Sequence, residues 1–315
     1  MKVVILINFG GPRNREEILP FLTDIFSDVL PWPLKFLAPL LARLRKPYAE
    51  KMYSSIGGAS PVVGWTVKQA AELEGKLGGG FRVYAGMKYG RPSIEDAKID
   101  AKEDGCEKII LLPLFPYQSR YTSVSLRTKR SNPVNTGDCF VTYAPRNDMR
   151  IHTHTLYVSA MVNIIKTALT NWKDVSPPHI NLIFSVHAIP LSAIKAGDPY
   201  LRQINESVSR IMENFTGFNY HIAFQSASFK FGWTGPDVKT VINQLTHLRT
   251  YALTHCLIIP LGFACENIET LYEIDHIYIP YASGLGIQNI ARAPALNDNP
   301  QFIDLLTSLV LNSGQ

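Results

Sequence analysis

A histidine at the end of one apolar segment is the first residue of this sequence that could do chemistry. His187 closes the run INLIFSVH and is followed by Ala-Ile-Pro. Imidazole has an ordinary pKa that suits proton removal near neutrality, and it is a common metal ligand. A hydrogen-bonded loop histidine is the alternative that carries no chemistry. The choice between the two depends on which other polar groups the sequence offers.

Three glutamates in a later segment, CENIETLYEID, favour the chemical interpretation. Glu266, Glu269 and Glu273 are three and four positions apart, which on an α-helix places them within roughly 60° on one face. Clustered carboxylates bind hard divalent cations, and a carboxyl group held beside other negative charge has a raised pKa. A solvated helix face is the alternative, but this helix directly follows an apolar strand. The pattern therefore predicts a site that receives a divalent metal and removes protons.

The elements that must position these residues follow from the hydrophobic pattern. Short apolar runs alternate with amphipathic stretches, which predicts buried parallel strands separated by helices. The predicted strands are Val3–Asn8, Phe81–Met87, Lys108–Leu114, Cys139–Ala144, Ile180–Ser185, Tyr220–Gln225 and Thr254–Leu261. The predicted helices are Arg15–Phe26, Val67–Leu77, Ser93–Asp104, His152–Asn171, Pro199–Asn214, Asp237–Leu248 and Asn299–Val310. The fold class is α/β, with two doubly wound, Rossmann-like domains.

The domain bounds rest on weaker signals. KIILLPLFP near residue 110 and HCLIIPLGF near residue 258 resemble each other, which favours two domains of related topology. The predicted division is an N-terminal domain at 1–148, a C-terminal domain at 149–298 that carries His187 and Glu269, and a helix at 299–315 that packs back on the body. Ligands of such sheets bind beyond the carboxyl ends of the strands. That rule places Asn8–Gly11, Lys88–Gly90, Phe115–Thr122, Ser185–His187 and Gly262–Glu269 around one cleft.

Composition and charge narrow the class of protein. The 315 residues are 46% hydrophobic and 18% charged, which is typical of a folded protein. The net charge of +5 is spread along the chain without a dense basic block, so it favours anionic ligands or lipid surfaces over nucleic acid. The four cysteines are scattered and form no CxxC pair, which predicts a reduced, cytosolic setting. A secretory signal and a membrane-spanning run are not expected.

Two segments near the N-terminus have open interpretations. Val29–Leu44 is an apolar, proline-broken segment that predicts either buried core or an exposed lip, which would admit an apolar ligand or touch a membrane surface. Arg43, Arg45 and Lys46 lie at its edge. The turn Gly10–Pro12 lacks the pattern of a nucleotide loop, so its glycines are expected to let the backbone approach a flat ligand or a neighbouring strand.

An ordered set of motifs gives the sequence a family resemblance. NFGGP, KYGRP, LLPLFPYQS, FSVHAIP, GDPY, FQS, GWTGP and ENIETLYEID occur in this order over nearly the whole chain. The sequence resembles ferrochelatase. The resemblance implies a lyase of haem synthesis that inserts Fe²⁺ into a porphyrin, expected to be protoporphyrin IX, with release of two protons. A coproporphyrin ferrochelatase, a non-catalytic porphyrin or haem carrier, and a chelatase for cobalt or nickel remain alternatives.

The resemblance also implies roles for particular residues. His187 corresponds to the histidine at the metal-insertion centre, Glu269 to its partner carboxylate, and Glu266 and Glu273 to the path of the metal. Both His187 and Glu269 are expected to contact the metal, and the division of proton removal between them stays open. The expected porphyrin contacts are Phe9, Lys88, Tyr89, Phe115, Tyr121, Trp233 and Phe263.

Departures from the family pattern qualify these roles. Phe9 stands where some members have Tyr or Met, Lys88 replaces an arginine, and Asn267 replaces a histidine. Some members hold an iron–sulfur cluster through cysteines, but Arg120 lies in the loop that supplies one of these, and no cysteine follows Cys265. We therefore expect no cluster, no organic cofactor and no nucleic-acid partner. A monomer is expected, cytoplasmic and at most peripheral at the inner face of the cell membrane.

Overall fold

The computed structural model describes residues 1–121, 140–143, 150–227, 231–247, 255–287 and 289–313. Within these residues the chain divides into two compact units. The first unit contains Met1–Leu114, the strand Phe140–Tyr143 and the chain from Leu306. The second unit contains the segment that begins at Phe115 and the chain from Arg150 to Leu305.

The first unit is built on a four-stranded parallel sheet with strand order β2-β1-β3-β4. Its strands are β1 Lys2–Gly10, β2 Phe81–Tyr89, β3 Lys108–Pro113 and β4 Phe140–Tyr143. Its helices are α1 Ile18–Val29, α2 Ala38–Ser54, α3 Val62–Leu77 and α4 Ile94–Glu103, with a 3₁₀ helix at Trp32–Leu37. Six consecutive residues of β1 are buried, as expected for a strand with helices on both faces of its sheet. This strand is the core of the unit.

The second unit repeats the arrangement with strand order β6-β5-β7-β8, again parallel throughout. Its strands are β5 Ile180–His187, β6 Asn219–Gln225, β7 His255–Pro260 and β8 Asn289–Arg292. Its helices are α5 Thr155–Leu169, α6 Leu191–Lys195, α7 Tyr200–Met212, α8 Val238–His247, a π-helix Glu269–Tyr278 and α9 Ile279–Gly284. Short 3₁₀ helices lie at Ile151–Thr153, Thr170–Trp172 and Pro177–His179. The last helix, α10 Pro300–Asn312, continues into the residues assigned to the first unit.

The predicted α/β class and the parallel sheets are confirmed. The two similar segments noted in the sequence are β3 and β7, which occupy the same place in their sheets: each pairs with the central strand. The sequence pattern missed β8 and α2. β8 has only four residues and none of them is fully buried, so it carries little apolar signal.

The segment after β3 departs from the predicted domain bounds, because Phe115–Tyr121 is assigned to the second unit. The backbone N–H of Gln118 donates to Gln203 Oε1 at 2.7 Å, and that of Arg120 donates to Asp198 Oδ2 at 2.8 Å. These side chains come from α7 and the turn before it. The chain therefore leaves the first unit at the end of β3.

The lip Val29–Leu44 exposes most of its large apolar side chains, whereas Ala38 and Ala42 are buried. It is formed by the end of α1, the 3₁₀ helix and the start of α2. The exposed fraction is 86% at Trp32, 76% at Phe36 and 70% at Leu44, so the buried-core alternative is wrong for these side chains. No helix among the described residues has both the length and the apolar character needed to cross a membrane.

The cysteines differ in part from expectation. Cys256 and Cys265 are buried, and burial raises the pKa of Cys256 to about 12, so it is not a reactive thiolate. Cys106 is disulfide-bonded. The prediction of reduced cysteines is therefore wrong at Cys106, because spacing along a chain does not report which sulfur atoms meet in space.

Candidate functional site

His187 is the last residue of β5, whose seven preceding residues are all buried. Its Nδ1 lies 2.7 Å from the carbonyl oxygen of Ala188. A carbonyl only accepts, so Nδ1 carries the proton in this contact and Nε2 of the neutral ring is left as an acceptor. The Tyr200 hydroxyl donates to the His187 carbonyl at 2.9 Å, and the Ala188 N–H donates to Gln225 O at 2.8 Å. These bonds fix the strand end and the tautomer.

Trp233 lies on the segment that pairs with the turn after His187. Leu191 N–H donates to Gly232 O at 2.8 Å, and Thr234 N–H donates to Ile189 O at 2.9 Å. Trp233 itself forms an antiparallel bridge with Pro190 and is half-buried. The predicted porphyrin contact Trp233 is therefore held near the histidine by main-chain bonds.

The acidic segment forms a π-helix, and this changes the predicted geometry. A π-helix closes its hydrogen bonds from i to i+5, so Glu269 and Glu273 are separated by less than one turn. Glu266 precedes the helix, which begins at Glu269. The prediction that the three glutamates share one α-helical face is therefore wrong.

Glu273 is held by three hydrogen bonds from side chains. The Ser226 hydroxyl donates at 2.7 Å, Gln225 Nε2 at 3.2 Å and the Tyr278 hydroxyl at 3.5 Å, and all of them reach Oε2. Gln225 Nε2 also donates to the backbone oxygen of Glu269 at 3.0 Å. Gln225 is directly opposite His187 in the register of β5 and β6. One side chain thus links the strand that bears the histidine to both glutamates.

The two glutamates of the π-helix are difficult to ionise. Burial raises the pKa of Glu273 to about 7, and the nearby Glu269 charge adds to this effect. Burial likewise raises the pKa of Glu269. A protonated His187 acts in the opposite direction and lowers the pKa of Glu273, which places the imidazole within electrostatic reach. Proton uptake near neutrality is the chemistry that this arrangement supports.

Glu266 belongs to a different set of contacts. Its carboxylate receives Arg292 Nη1 at 2.7 Å, the Ala295 N–H at 3.0 Å and the Thr270 hydroxyl. The residue is 7% exposed, so this is a buried ion pair. The structure thus groups Glu269 and Glu273 with His187, and Glu266 with Arg292.

In the first unit, a group of aromatic residues surrounds the ends of β1 and β2. Phe9 is 41% exposed, and its ring centroid lies 4.9 Å from that of Tyr89. Lys88 Nζ lies 2.7 Å from Asp28 Oδ2 and 4.6 Å from the Tyr89 ring centroid. The Tyr89 hydroxyl donates to the same Asp28 oxygen at 2.6 Å. Three expected porphyrin contacts, Phe9, Lys88 and Tyr89, are therefore neighbours.

Gly10 permits this close approach of β1 and β2. Its φ is +91°, and a Cβ atom at this position would lie 1.9 Å from the backbone oxygen of Tyr89. Only glycine fits both constraints. The sequence-based expectation that this glycine serves close backbone approach to a neighbouring strand is supported.

The other expected porphyrin contacts lie in the second unit. Phe115 and Phe263 are half-buried, and each follows the third strand of a sheet, β3 and β7 respectively. Tyr121 is 47% exposed. Thr122, the end of the predicted rim segment, lies outside the described residues.

Sequence reasoning missed three residues that contact the expected site. Gln225 and Ser226 belong to the FQS motif, which was read as a family marker without a role. Asp28 is 60 positions from Lys88, and nothing in the pattern of α1 marks it. Among the described residues, no three His, Cys, Asp or Glu side chains converge closely enough to hold a metal ion.

Comparisons with known proteins identify close relatives. A family model described as Ferrochelatase matches residues 2–313. A ferrochelatase of Geotalea uraniireducens is 38% identical over 98% of this chain and 96% of its own length. A ferrochelatase of Aquifex aeolicus is 36% identical over 99% of both chains.

Solved structures share the fold at low sequence identity. SirB from Bacillus subtilis, solved with Fe³⁺, matches with a TM-score of 0.55 and 11% identity over 99% of this chain and 95% of its own. CbiX, described as the terminal enzyme for biosynthesis of siroheme in denitrifying bacteria, matches with a TM-score of 0.53 and 12% identity over 99% of both chains. At this identity the likeness concerns the fold alone.

Proposed function

The chain belongs to the ferrochelatase family, the metal chelatases that insert iron into a porphyrin to give haem, and we propose that His187, Glu269 and Glu273 carry out this reaction. The observation that carries the proposal is the pair of glutamates with raised pKa values beside a histidine whose Nε2 is left as an acceptor. The reaction is balanced in charge: one Fe²⁺ enters the macrocycle, and two pyrrole protons leave it.

The protein groups have complementary tasks in this scheme. The unprotonated Nε2 of His187 accepts a proton, and a carboxylate whose pKa is about 7 accepts or passes on a second proton near neutral pH. The carboxylate oxygens of Glu269 and Glu273 also attract Fe²⁺, the substrate, as hard anionic ligands. We therefore assign the path of the metal to these two residues and give Glu266 a structural role through Arg292.

Aromatic and cationic side chains are the proposed contacts of the porphyrin. These contacts are Phe9, Lys88, Tyr89, Phe115, Tyr121, Trp233 and Phe263. Binding energy from such a surface can bend the macrocycle and lower the barrier to metal entry. The Lys88 ammonium suits a porphyrin carboxylate as a point charge, without the planar fork of arginine.

We propose protoporphyrin IX as the substrate, with coproporphyrin as the alternative. Phe9, which replaces tyrosine found at this position in some members, supports the less polar porphyrin. The two porphyrins differ in the number of their carboxylates, so kcat/KM measured with each porphyrin under the same conditions decides between them. A higher kcat/KM for coproporphyrin would reverse the assignment.

The setting of the enzyme is also proposed. We infer a cytoplasmic monomer without an iron–sulfur cluster or organic cofactor, which touches the inner face of the membrane through the lip Val29–Leu44. The exposed side chains of Trp32 and Phe36 support the membrane contact. Sedimentation with anionic vesicles should fall in a Trp32→Ser, Phe36→Ser variant. If that variant sediments with the vesicles as much as the wild-type protein does, the membrane contact is refuted. Visible absorption and iron content of the purified protein test for an iron–sulfur cluster.

The experiment that tests the reaction is metal insertion into protoporphyrin, followed as the growth of zinc-porphyrin fluorescence. His187→Ala should lose insertion while it still binds porphyrin. His179→Ala is a matched control, because His179 is exposed at the opposite end of the same strand. Wild-type turnover in His187→Ala would refute the role of the histidine. Porphyrin binding without turnover in the wild-type protein would indicate a carrier. Insertion rates measured over a panel of metals and tetrapyrroles distinguish a ferrochelatase from a chelatase for cobalt or nickel.

A further inference from the structure

Arg292 connects two residues that flank the glutamates of the proposed site. Its Nη1 lies 2.7 Å from Glu266 Oε1, three positions before Glu269. Its Nε and Nη2 contact the two oxygens of Asp275 at 2.8 and 3.1 Å, two positions after Glu273. One guanidinium therefore holds the segment that precedes the π-helix and a residue within the helix at the same time.

The contact between Arg292 and Glu266 lies in the interior of the second unit, whereas the Asp275 side chain is 34% exposed. The side chains of Arg292 and Glu266 are only 13% and 10% exposed. The chain that follows Arg292 adds two contacts, since Ala295 N–H donates to Glu266 Oε1 and Asn297 Oδ1 accepts from the Glu266 N–H at 2.9 Å. A planar fork with two carboxylate partners fixes direction as well as distance.

The π-helix needs such an anchor. Its hydrogen-bond pattern is uncommon and it carries two buried carboxyl groups that repel each other when ionised. Arg292 contacts neither of them among the described residues, so it does not neutralise their charge. Its effect on Glu269 and Glu273 must come through the position of the helix.

We propose that Arg292 is a positioning residue for metal insertion, which holds Glu269 and Glu273 against His187 by gripping Glu266 and Asp275. The proposal rests on the proposed roles of the two glutamates. It predicts that weakening these ion pairs lowers kcat and leaves porphyrin binding intact, because within the described part of the chain no contact of Arg292 involves the expected porphyrin residues.

The test compares Arg292→Lys and Arg292→Met with Arg82→Lys as the matched control. Arg82 also joins two carboxylates, Glu74 at 3.0 Å and Asp104 at 3.8 Å, but it lies in the first unit and is 54% exposed. Lysine keeps the charge and loses the fork, so the lysine variant remains informative if the methionine variant does not fold. Rates are divided by the concentration of porphyrin-binding sites, so that a smaller fraction of folded protein in a variant does not lower its apparent kcat.

We expect kcat for zinc insertion to fall about 10-fold in Arg292→Lys and about 100-fold in Arg292→Met, with KM for porphyrin within about 3-fold of wild type. Arg82→Lys should keep its kcat. A double-mutant cycle with Glu269→Gln supplies the decisive readout: if Arg292 acts through the helix, its substitution costs little once Glu269 is already neutral.

The outcomes separate the two proposals. A normal kcat in Arg292→Lys, or full additivity in the cycle, would overturn the positioning role while a slow Glu269→Gln variant keeps the proposed function. Wild-type rates in both Glu269→Gln and Glu273→Gln would refute the proposed function itself.

Discussion

Replacing Glu273 by glutamine should make the protein more stable and less active. In an unfolded chain this carboxyl group has a pKa near 4.5, and in the folded protein burial and the charge of Glu269 raise the pKa to about 7. Each pKa unit corresponds to about 1.4 kcal/mol. The ionised side chain therefore destabilises the folded state by roughly 2–3 kcal/mol, once partial exposure is considered.

The pH dependence gives this prediction its sign. Because the folded pKa exceeds the unfolded one, the cost is absent below about pH 4.5, grows between pH 4.5 and 7, and is complete above pH 7. Glutamine keeps an acceptor for Ser226 and carries no charge. The stability difference between Glu273→Gln and wild type should thus rise from near zero in acid to roughly 2–3 kcal/mol at pH 8.

Amide hydrogen exchange of peptides from β5 measures this difference within the second unit. After correction for intrinsic exchange, the variant should exchange about 30- to 160-fold more slowly at pH 8 and at the same rate as wild type near pH 4.5. Its kcat for metal insertion should fall by about 100-fold, as for the loss of a general base.

Glu266→Gln is the control with the opposite sign. This glutamate lies in the same segment but is paired with Arg292, and removing one partner of a buried ion pair destabilises a protein by about 3 kcal/mol. Faster exchange in Glu266→Gln and slower exchange in Glu273→Gln at pH 8 is the expected pattern. A destabilised Glu273→Gln protein, or a difference that does not change with pH, would refute the reasoning.

Three other substitutions test single contacts. Ser226→Ala removes a bond that lowers the pKa of Glu273, so the acid limb of the kcat profile should move to higher pH; an unchanged limb would contradict the role of this hydroxyl. Gly10→Ala should lower Tm far more than Gly57→Ala, because both glycines have positive φ but only Gly10 faces backbone within 4 Å. Tyr200→Phe removes the hydroxyl that holds the strand-end carbonyl, and we expect a loss of about 1 kcal/mol in unfolding free energy, measured by urea denaturation.

The regular elements of the fold could be predicted from the sequence because buried strands appear in it as runs of apolar residues. The five residues before His187 are apolar or small and buried, so both the strand and its end follow from composition. β8 was missed since its side chains are exposed or half-buried. Its last residue, Arg292, matters through contacts with Glu266 and Asp275, and ion pairs across 17 or more positions leave no local pattern.

The acidic segment shows a limit of a different kind. The types of the three glutamates indicated metal and proton chemistry, but their grouping was derived from an ideal α-helix. The π-helix contains Glu269 and Glu273 but not Glu266, and tertiary contacts from Gln225 and Arg292 hold this segment. The periodicity of apolar residues indicates which face of a regular α-helix is buried. It does not indicate where the hydrogen bonds change from the α-helical to the π-helical pattern.

The contrast between Glu266 and Glu273 explains why the site is both costly and usable. The Glu266 carboxylate meets the buried guanidinium of Arg292, a charged donor. Among the described residues, the donors to Glu273 are the neutral side chains of Ser226, Gln225 and Tyr278, so it stays close to the point of proton transfer at pH 7. A cation placed beside Glu273 would add stability and remove that capacity. The same arginine that stabilises the segment must therefore be kept at Glu266 and Asp275, next to the reacting carboxylates but out of contact with them.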